Sequence, residues 1–370
     1  MGFSCGIVGL PNVGKSTIFN ALSKSNIAMS ANYPFCTIEP NRAAAPVPDE
    51  RLDFIVDCVH PRSIVPTTVE FVDIAGLVRN AGKGEGKGNQ FLMHIRQVDA
   101  IIHVVRCFDD LNITHVEDGI DPVRDISIIN TELAVADIDL LERALLKVQK
   151  SAKSGNSQLA AKADIISQTL AVASNGESVR RFLDNNPTYR EELKEYNLIT
   201  DKPVLYLANV DEEHIDGKIE YVDKAALSAA KDSAALLTLS GKIEAELATL
   251  TEGEAREYLN SLGQQESGLE KLIQKGYELL SLVTFFTAGE KEARAWTVEK
   301  NTTAKAAAGK IHSDIERGFI KAEVVSYSDF VQLKSLSLAK EKGRLRLEGR
   351  DYIISDGDIV YFRHNAGKSV

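Results

Sequence analysis

The stretch from Gly9 to Ser16 reads Gly-Leu-Pro-Asn-Val-Gly-Lys-Ser, and it constrains the fold more than any other part of the chain. It matches the pattern G-x-x-x-x-G-K-[ST], in which backbone N–H groups of a glycine-rich turn surround a phosphate. The apolar run from Ser4 to Val8 predicts a buried strand before the motif, and the residues from Thr17 onward predict a helix after it. Strand, loop and helix in that order are what a phosphate loop requires, since the helix N-terminus also favours an anion.

Each residue of this motif has an expected role. Lys15 is a candidate catalytic residue because its side chain can reach the β- and γ-phosphates, and the Ser16 hydroxyl is expected to ligate Mg²⁺. The glycines allow the backbone N–H groups to close around the phosphates. The residues predicted to bind nucleotide in this stretch are Asn12, Val13, Gly14, Lys15, Ser16 and Thr17.

Two downstream segments predict further ligands for Mg²⁺. The alternating run from Thr68 to Ile74 is typical of a strand, and Asp73 lies at its tip. A carboxylate there suits a water-mediated contact with Mg²⁺, and the N–H of Gly76 is expected to contact the γ-phosphate. Thr37 lies in a proline-containing loop, where it would either ligate Mg²⁺ and sense the γ-phosphate or belong to a plain surface turn.

The order of the predicted elements indicates an α/β fold. Apolar runs at 100–107, 203–210 and 235–240 are typical of buried strands, so we expect the doubly wound, mostly parallel sheet of a P-loop NTPase. The nucleotide-binding domain is predicted to comprise residues 1–120 and 200–280.

Residues 121–199 interrupt this sheet with a helical pattern. Asp121 and Pro122 cap a long helix, and apolar residues recur about every 3.5 positions in two runs. The break between the two runs falls at 153–156. We therefore expect an antiparallel, coiled-coil-like helical arm, with two ordinary amphipathic helices packed on the domain as the alternative.

Residues 281–366 predict a small α+β domain with one helix, from Ala304 to Phe319. Residues 281–370 contain 15 Lys and Arg against 12 Asp and Glu, a net charge of +3, whereas the whole chain carries −10. A negatively charged partner is therefore expected at this domain. Arg344 and Arg346 alternate with leucines, so a strand would place both on one face for an RNA contact; a solvated charged edge is the alternative.

The composition argues against several classes of protein. The four cysteines form no C-x-x-C pair, which indicates neither a zinc site nor a disulfide framework and fits a cytoplasmic location. The N-terminal sequence lacks the basic and apolar segments of a signal peptide. No apolar run approaches about 18 residues, so no membrane partner is expected.

Together these motifs resemble the Obg group of phosphate-loop GTPases and, within it, the YchF subfamily of bacterial Obg-like ATPases. Besides the first motif, the resemblance is carried by Tyr-Pro-Phe-Cys-Thr-Ile-Glu-Pro-Asn at 33–41, Phe-Val-Asp-Ile-Ala-Gly-Leu-Val at 71–78, Gly-Lys-Gly-Glu-Gly at 82–86, Asn-Val-Asp-Glu at 209–212 and Phe-Thr-Ala-Gly-Glu-Lys-Glu-Ala-Arg-Ala-Trp-Thr at 286–297. The resemblance implies a C-terminal TGS domain and slow, Mg²⁺-dependent hydrolysis of ATP. It also implies association with ribosomes, for which we expect a monomer that contacts the large subunit and its rRNA.

The base-binding segment departs from the guanine pattern of the related GTPases, Asn-Lys-x-Asp. Val210 stands where the lysine that lies along the base is expected, and Glu212 stands where the aspartate accepts two guanine hydrogen bonds. Asn209 can still bond N7 and the N6 amine of adenine, and Ser240 and Gly241 are expected to contact the base through their backbone. ATP is therefore the predicted nucleotide, and a guanine-nucleotide switch that tolerates Glu212 is the alternative.

The expected catalytic groups are unusual. Leu77 follows Gly76 where related switches place a water-orienting glutamine, so slow turnover is expected. Asn12 is a candidate catalytic residue because relatives that depend on K⁺ bind it there, and K⁺ is a second candidate cation. His115 is a candidate base in a polar loop, with a loop histidine of no role as the alternative. A third interpretation is an RNA- or ribosome-binding module whose hydrolysis is incidental.

Overall fold

The computed structural model describes residues 3–30, 41–74, 86–110, 113, 119–152 and 156–365, and its strands form two six-stranded sheets. In chain order the strands are β1 (Phe3–Val8), β2 (Arg42–Pro46), β3 (Ile64–Val65), β4 (Thr68–Asp73), β5 (Ala100–Arg106), β6 (Val204–Asn209), β7 (Ala235–Leu239), β8 (Leu282–Ala288), β9 (Ala293–Glu299), β10 (Phe319–Val325), β11 (Arg346–Glu348) and β12 (Ile359–His364). The α-helices are α1 (Lys15–Ser30), α2 (Glu50–Val59), α3 (Gly86–Gln97), α4 (Pro122–Ala152), α5 (Ser157–Ser174), α6 (Val179–Asp184), α7 (Pro187–Leu193), α8 (Glu220–Lys231), α9 (Gly241–Leu247), α10 (Glu252–Ser261), α11 (Gly268–Leu279), α12 (Ala304–Ile311), α13 (Ser313–Arg317), α14 (Tyr327–Leu333) and α15 (Leu336–Glu341).

The first sheet has the strand order β2–β4–β1–β5–β6–β7. All neighbouring strands are parallel except β2, which runs antiparallel to β4. Every residue of β5 and β6 is buried, because helices cover both faces of the sheet, and this explains their nearly continuous apolar sequences. The predicted doubly wound, mostly parallel sheet is confirmed, and it brings the carboxyl ends of β1 and β4 to one edge.

The helical arm consists of α4 and α5 followed by the short α6 and α7. The Asp121 carboxylate accepts from the backbone N–H groups of Val123 and Arg124 at the start of α4, and Asn156 caps α5 in the same way. The first turns of α4 place Ile126, Ile129 and Leu133 in the core of the first sheet. Further along, Leu141 packs with Ile166 and Leu183 in a separate core within the arm. The arm is thus rooted in the nucleotide-binding domain and carries its own core beyond that root.

The second sheet has the order β11–β10–β12–β8–β9–β3 and an apolar cluster on each face. The expectation of one helix, from Ala304 to Phe319, is wrong in extent and in number: α12 ends at Ile311, His312 is extended with φ −164°, and α13, α14 and α15 follow. The His312 ring nitrogen Nδ1 accepts from the Asp314 N–H, so the break is a cap for α13. Among the residues described, no helix is both long and apolar enough to cross a bilayer.

The segment 50–65 packs on the second sheet although it precedes β4 in the chain. Strand β3 pairs with β9, and α2 places Leu52 and Ile55 in one apolar cluster with Phe286 and Phe330. The sequence assigned this segment to the nucleotide-binding domain, because its contacts with the second sheet are far away along the chain. The remaining domain boundaries stay a prediction.

Candidate nucleotide-binding site

The turn between β1 and α1 has glycine at two positions where a side chain would collide with a neighbouring strand. Gly9 has φ +152°, and a Cβ there would lie 2.5 Å from the Val104 carbonyl oxygen of β5. Gly14 has φ +100°, and a Cβ there would overlap the Asn209 amide nitrogen. The predicted strand–loop–helix order is present, with α1 beginning at Lys15 rather than at Thr17. Glycine is therefore required because the turn lies directly against the sheet edge.

Lys15 lies inside this turn. Its side-chain Nζ donates to the Leu10 carbonyl oxygen at 2.6 Å, and the residue is only 7% exposed. Burial lowers the pKa of Lys15, and the nearby carboxylate of Asp73 acts in the opposite direction. A buried ammonium with one backbone partner is suited to exchange that partner for phosphate oxygens.

Asp73 ends β4 on the strand next to β1. Its Oδ1 atom is buried, and within the described part of the chain it has no hydrogen-bond partner. Burial raises the pKa of the Asp73 carboxyl, and the charge of Lys15 opposes this rise. An unpaired buried carboxylate oxygen is costly, so this atom is suited to be a cation ligand. Ser16, also a predicted Mg²⁺ ligand, is exposed in the first turn of α1.

Asn209 ties the phosphate-binding turn to the neighbouring loop. Its Nδ2 donates to the Val13 carbonyl oxygen at 2.9 Å, and its Oδ1 accepts from the Gly241 N–H at 2.8 Å. The Gly241 N–H, which the sequence predicted as a backbone contact for the base, is therefore already used within the protein. Asn209 itself is 5% exposed, and its contact with adenine stays a prediction.

The two carboxylates nearest to Asn209, those of Asp211 and Glu212, both have partners in the described structure. The Val210 side chain is 2% exposed and packs in the core of the first sheet. Asp211 accepts from the His214 N–H at 3.1 Å and caps a short 3-10 helix, Glu212–His214. Glu212 forms an ion pair with Lys242, and hydrogen bonding from that lysine lowers the pKa of Glu212.

Thr37, Gly76 and His115 lie outside the described residues. Asn12 is exposed on the turn and has φ 60°, a left-handed conformation that asparagine adopts more readily than most residues. The Ser240 Oγ atom is buried without a hydrogen-bond partner among the described residues, so this hydroxyl is a polar group still available in that loop.

His103 of β5 is a core residue, 2% exposed. Its ring lies 5.1 Å from that of Tyr206, and burial lowers the pKa of His103 to about 3. An imidazole with that pKa stays neutral and does not act as a base near pH 7.

Sequence reasoning missed two residues near the site, Lys242 and Glu244. Lys242 directly follows the Ser240–Gly241 pair, so its place beside the base loop could have been inferred from adjacency. Glu244 is 2% exposed and accepts from the Gly268 N–H at 2.7 Å; burial raises its pKa to about 7. No local pattern distinguishes it from an ordinary helical glutamate.

A glycine turn holding a buried lysine, beside a strand that ends in an unpaired carboxylate, defines a phosphate-loop nucleoside triphosphatase. Residues 4–140 match a protein-family model described as "50S ribosome-binding GTPase", and residues 282–365 match YchF-GTPase_C, described as "Protein of unknown function (DUF933)". "Ribosome-binding ATPase YchF" of Haemophilus ducreyi is 51% identical over 99% of this chain and 100% of its own length. The protein of the same name from Bacillus subtilis is 48% identical over the same shares.

A solved structure is similar over nearly the whole chain. The "Schizosaccharomyces pombe YchF GTPase" has a TM-score of 0.87 and 37% identity, covering 98% of each chain. The chain belongs to the YchF family.

Proposed function

We propose that this protein is an ATPase switch that binds Mg²⁺-ATP in preference to GTP, hydrolyses it slowly and works in association with the ribosome in the cytoplasm. The preference for ATP rests on one observation: the first two carboxylates that follow β6 already have partners within the protein. Guanine recognition needs a carboxylate that accepts two hydrogen bonds, whereas Asp211 caps a helix and Glu212 is paired with Lys242. Recognition of adenine does not need such a carboxylate.

The phosphate site supports the hydrolytic part of the proposal. Lys15 would bind the β- and γ-phosphates after releasing the Leu10 carbonyl oxygen. Ser16, Asp73 and Thr37 would hold Mg²⁺, which neutralises charge on the phosphate oxygens when bound. The buried Oδ1 of Asp73 supports this assignment, because a cation would satisfy it.

Slow turnover follows from the residue types near the γ-phosphate. Leu77 cannot orient water, so the attacking water needs another partner. Asn12 with K⁺ and the imidazole of His115 remain the candidates for that assistance. Gly76 is expected to contact the γ-phosphate through its N–H.

Association with the ribosome is proposed because of the similarity to named relatives. The names of the Haemophilus and Bacillus proteins state ribosome binding and ATPase activity, and both are similar to this chain over its full length. We extend the proposal to the large subunit and its rRNA, with a monomeric protein whose C-terminal TGS domain carries the net positive charge.

Competition experiments test the nucleotide preference. ATP should displace a fluorescent nucleotide at lower concentration than GTP does. Lys242→Met should lower the ATP-to-GTP affinity ratio about tenfold, because it frees the Glu212 carboxylate to accept from guanine. Lys224→Met, which removes the lysine of the exposed Glu220 pair on α8, is the matched control. Tighter binding of GTP than ATP by the parent protein would contradict the proposal.

Ribosome co-sedimentation tests the second part. Ribosomes should pellet the protein to different extents with ATP, with ADP and with a non-hydrolysable ATP analogue. The same amount pelleted with all three would favour a binding module whose hydrolysis is incidental.

A further inference from the structure

One face of the second sheet is covered at one end of its strands and open at the other. Val325 of β10 and Ile359 of β12 lie opposite each other in the apolar cluster shared with α2 and α14. Because side chains alternate between faces, the next pair on this face is Glu323 and Tyr361. Tyr361 is 66% exposed, so the cover ends between these two rows.

Five side chains line this part of the sheet, which we call the open face: the exposed Leu347, Tyr361 and Arg363 and the half-buried Lys321 and Glu323. Glu323 lies opposite both Leu347 and Tyr361, and Lys321 lies opposite Arg363. Rows two residues apart are separated by about 7 Å, and three neighbouring strands span about 10 Å. This area is large enough for one nucleobase and the phosphates on one side of it.

We propose that the open face binds single-stranded RNA, with Tyr361 stacking on a base and Lys321 and Arg363, in the next row, contacting phosphates on one side of it. An aromatic ring on an exposed sheet surface beside two cations accepts any unpaired base, since every base has a π-face. The Arg363 side chain is 47% exposed although it pairs with Glu323, and a guanidinium has five N–H donors, so donors remain for phosphate. Leu347, 59% exposed, extends the surface beside the ring.

Charge favours RNA as the occupant. Residues 281–370 carry a net charge of +3 although the whole chain carries −10, so a polyanion is attracted to this domain and repelled by the rest. The inference rests on the proposed association with ribosomes, which would supply RNA with unpaired bases.

Of the two arginines that the sequence suggested for this contact, Arg344 lies before β11 with its Nε 3.7 Å from Asp329, and Arg346 is committed elsewhere. The Arg346 Nη2 group donates to the Tyr352 hydroxyl at 3.0 Å, and the side chain pairs with Glu348 at 3.6 Å and with the buried Asp358 at 3.5 Å. Leu347, the next residue in β11, alternates to the opposite face. The open face therefore lies on the side of the sheet away from Arg346.

The test measures binding of the full chain to a fluorescein-labelled single-stranded RNA of about 12 nucleotides, a length that such platforms can hold. Tyr361→Leu should weaken binding about tenfold, and Tyr361→Phe should retain it, because only the ring is needed for stacking. Lys321→Gln with Arg363→Gln should lower the slope of log affinity against log salt by about 1.4, or about 0.7 for each phosphate contact. Leu227→Ala on α8, 68% exposed, and Arg317→Gln on α13, with a 76% exposed side chain, are the controls.

Ribosome co-sedimentation of the same variants separates the inference from the proposed function. RNA affinity unchanged by Tyr361→Leu overturns the inference, and the parent protein pelleting with ribosomes then leaves the proposed function standing. Loss of ribosome binding in Tyr361→Leu with full RNA affinity indicates a protein contact and also overturns the inference. If the parent does not pellet with ribosomes, the proposed function fails, and the RNA titrations still decide the inference.

Discussion

The amide of Asn209 joins three segments of the nucleotide site at the scale of one residue. Asn209 is the last residue of β6. Its side-chain Nδ2 donates to the carbonyl oxygen of Val13 in the phosphate-binding turn, and its Oδ1 accepts from the N–H of Gly241 at the start of α9. The absence of a side chain at Gly14 allows this approach. The geometry of the phosphate turn and that of the base loop are therefore fixed by the same group.

Asn209→Asp should weaken nucleotide binding about 10- to 100-fold. The carboxylate can still accept from Gly241, but it loses the donor to Val13 and places a negative charge against a carbonyl oxygen, at a cost of about 1–3 kcal/mol. Isothermal titration with ATP measures the loss. Asn260→Asp, which adds the same charge at an exposed position on α10, should bind as the parent does. Parental affinity in Asn209→Asp would show that the turn holds its shape without this bond.

Replacing K⁺ by Na⁺ should slow ATP hydrolysis, by up to about 10³-fold if K⁺ supplies the charge that an arginine finger gives elsewhere. Asn12→Gly should erase the difference between the two salts. Glycine is chosen because Asn12 has φ 60°, where alanine would be strained. Asn301→Gly, at φ 71° in the C-terminal domain, is the control in a steady-state phosphate-release assay. Equal rates in both salts would exclude a role for K⁺.

At the scale of elements, α9 and α11 meet through a buried carboxyl. Helix α11 begins with a capping box, in which Ser267 and Glu270 bond each other's backbone N–H groups. The Glu244 side chain of α9 accepts from the Gly268 N–H in the same turn. Burial raises the pKa of Glu244 from 4.5 to about 7, so the folded protein retains a proton there that the unfolded chain releases.

This raised pKa predicts a stability that falls as pH rises from about 4.5 to 7. In that window the folded state binds more protons than the unfolded state, so the free energy of unfolding decreases with pH, by a total on the order of 3 kcal/mol. Glu244→Gln removes the titrating group and keeps an acceptor for Gly268. Urea unfolding should therefore show the variant gaining stability over the parent between pH 5 and pH 8. A constant difference, as expected for the exposed Glu257→Gln, would contradict this account.

Local patterns were sufficient for elements whose causes are local. The phosphate-binding turn, β5, β6 and the cap at Asp121 depend on residues within a few positions of each other, and the sequence predicted them. The pairing of β3 with β9 and of Lys242 with Glu212 depends on residues that folding brings together. Val210 ended a run predicted to be buried and was also assigned to the base site; the structure places its side chain in the core.

At the scale of the whole molecule, the two sheets share one stretch of chain. Residues 50–65 are flanked by β2 and β4 of the first sheet yet pack on the second. Arg51 strengthens this contact, since it pairs with Asp356 at 2.6 Å and lies over the Phe286 ring. The C-terminal domain is therefore completed by residues from the N-terminal part.

A chain ending at residue 280 should fold poorly. Leu52 and Ile55 would lose the cluster that contains Phe286 and Phe330, and each exposed side chain costs about 1.5–3 kcal/mol. Dye binding to exposed apolar surface should rise, and the soluble fraction should fall. Supplying residues 281–370 as a second polypeptide should reverse both changes, and removal of only 366–370 is the control. A soluble, nucleotide-binding 1–280 fragment would contradict this interdependence.

The shared stretch also has a mechanical meaning. Between β3, at the edge of the second sheet, and β4, in the first sheet, the chain has only Pro66 and Thr67, and proline makes this connection stiff. A displacement of the second sheet would therefore be transmitted along β4, and Asp73 lies at the far end of that strand. Asp73, the proposed cation ligand, and the C-terminal domain therefore lie at the two ends of one short, stiff segment of chain.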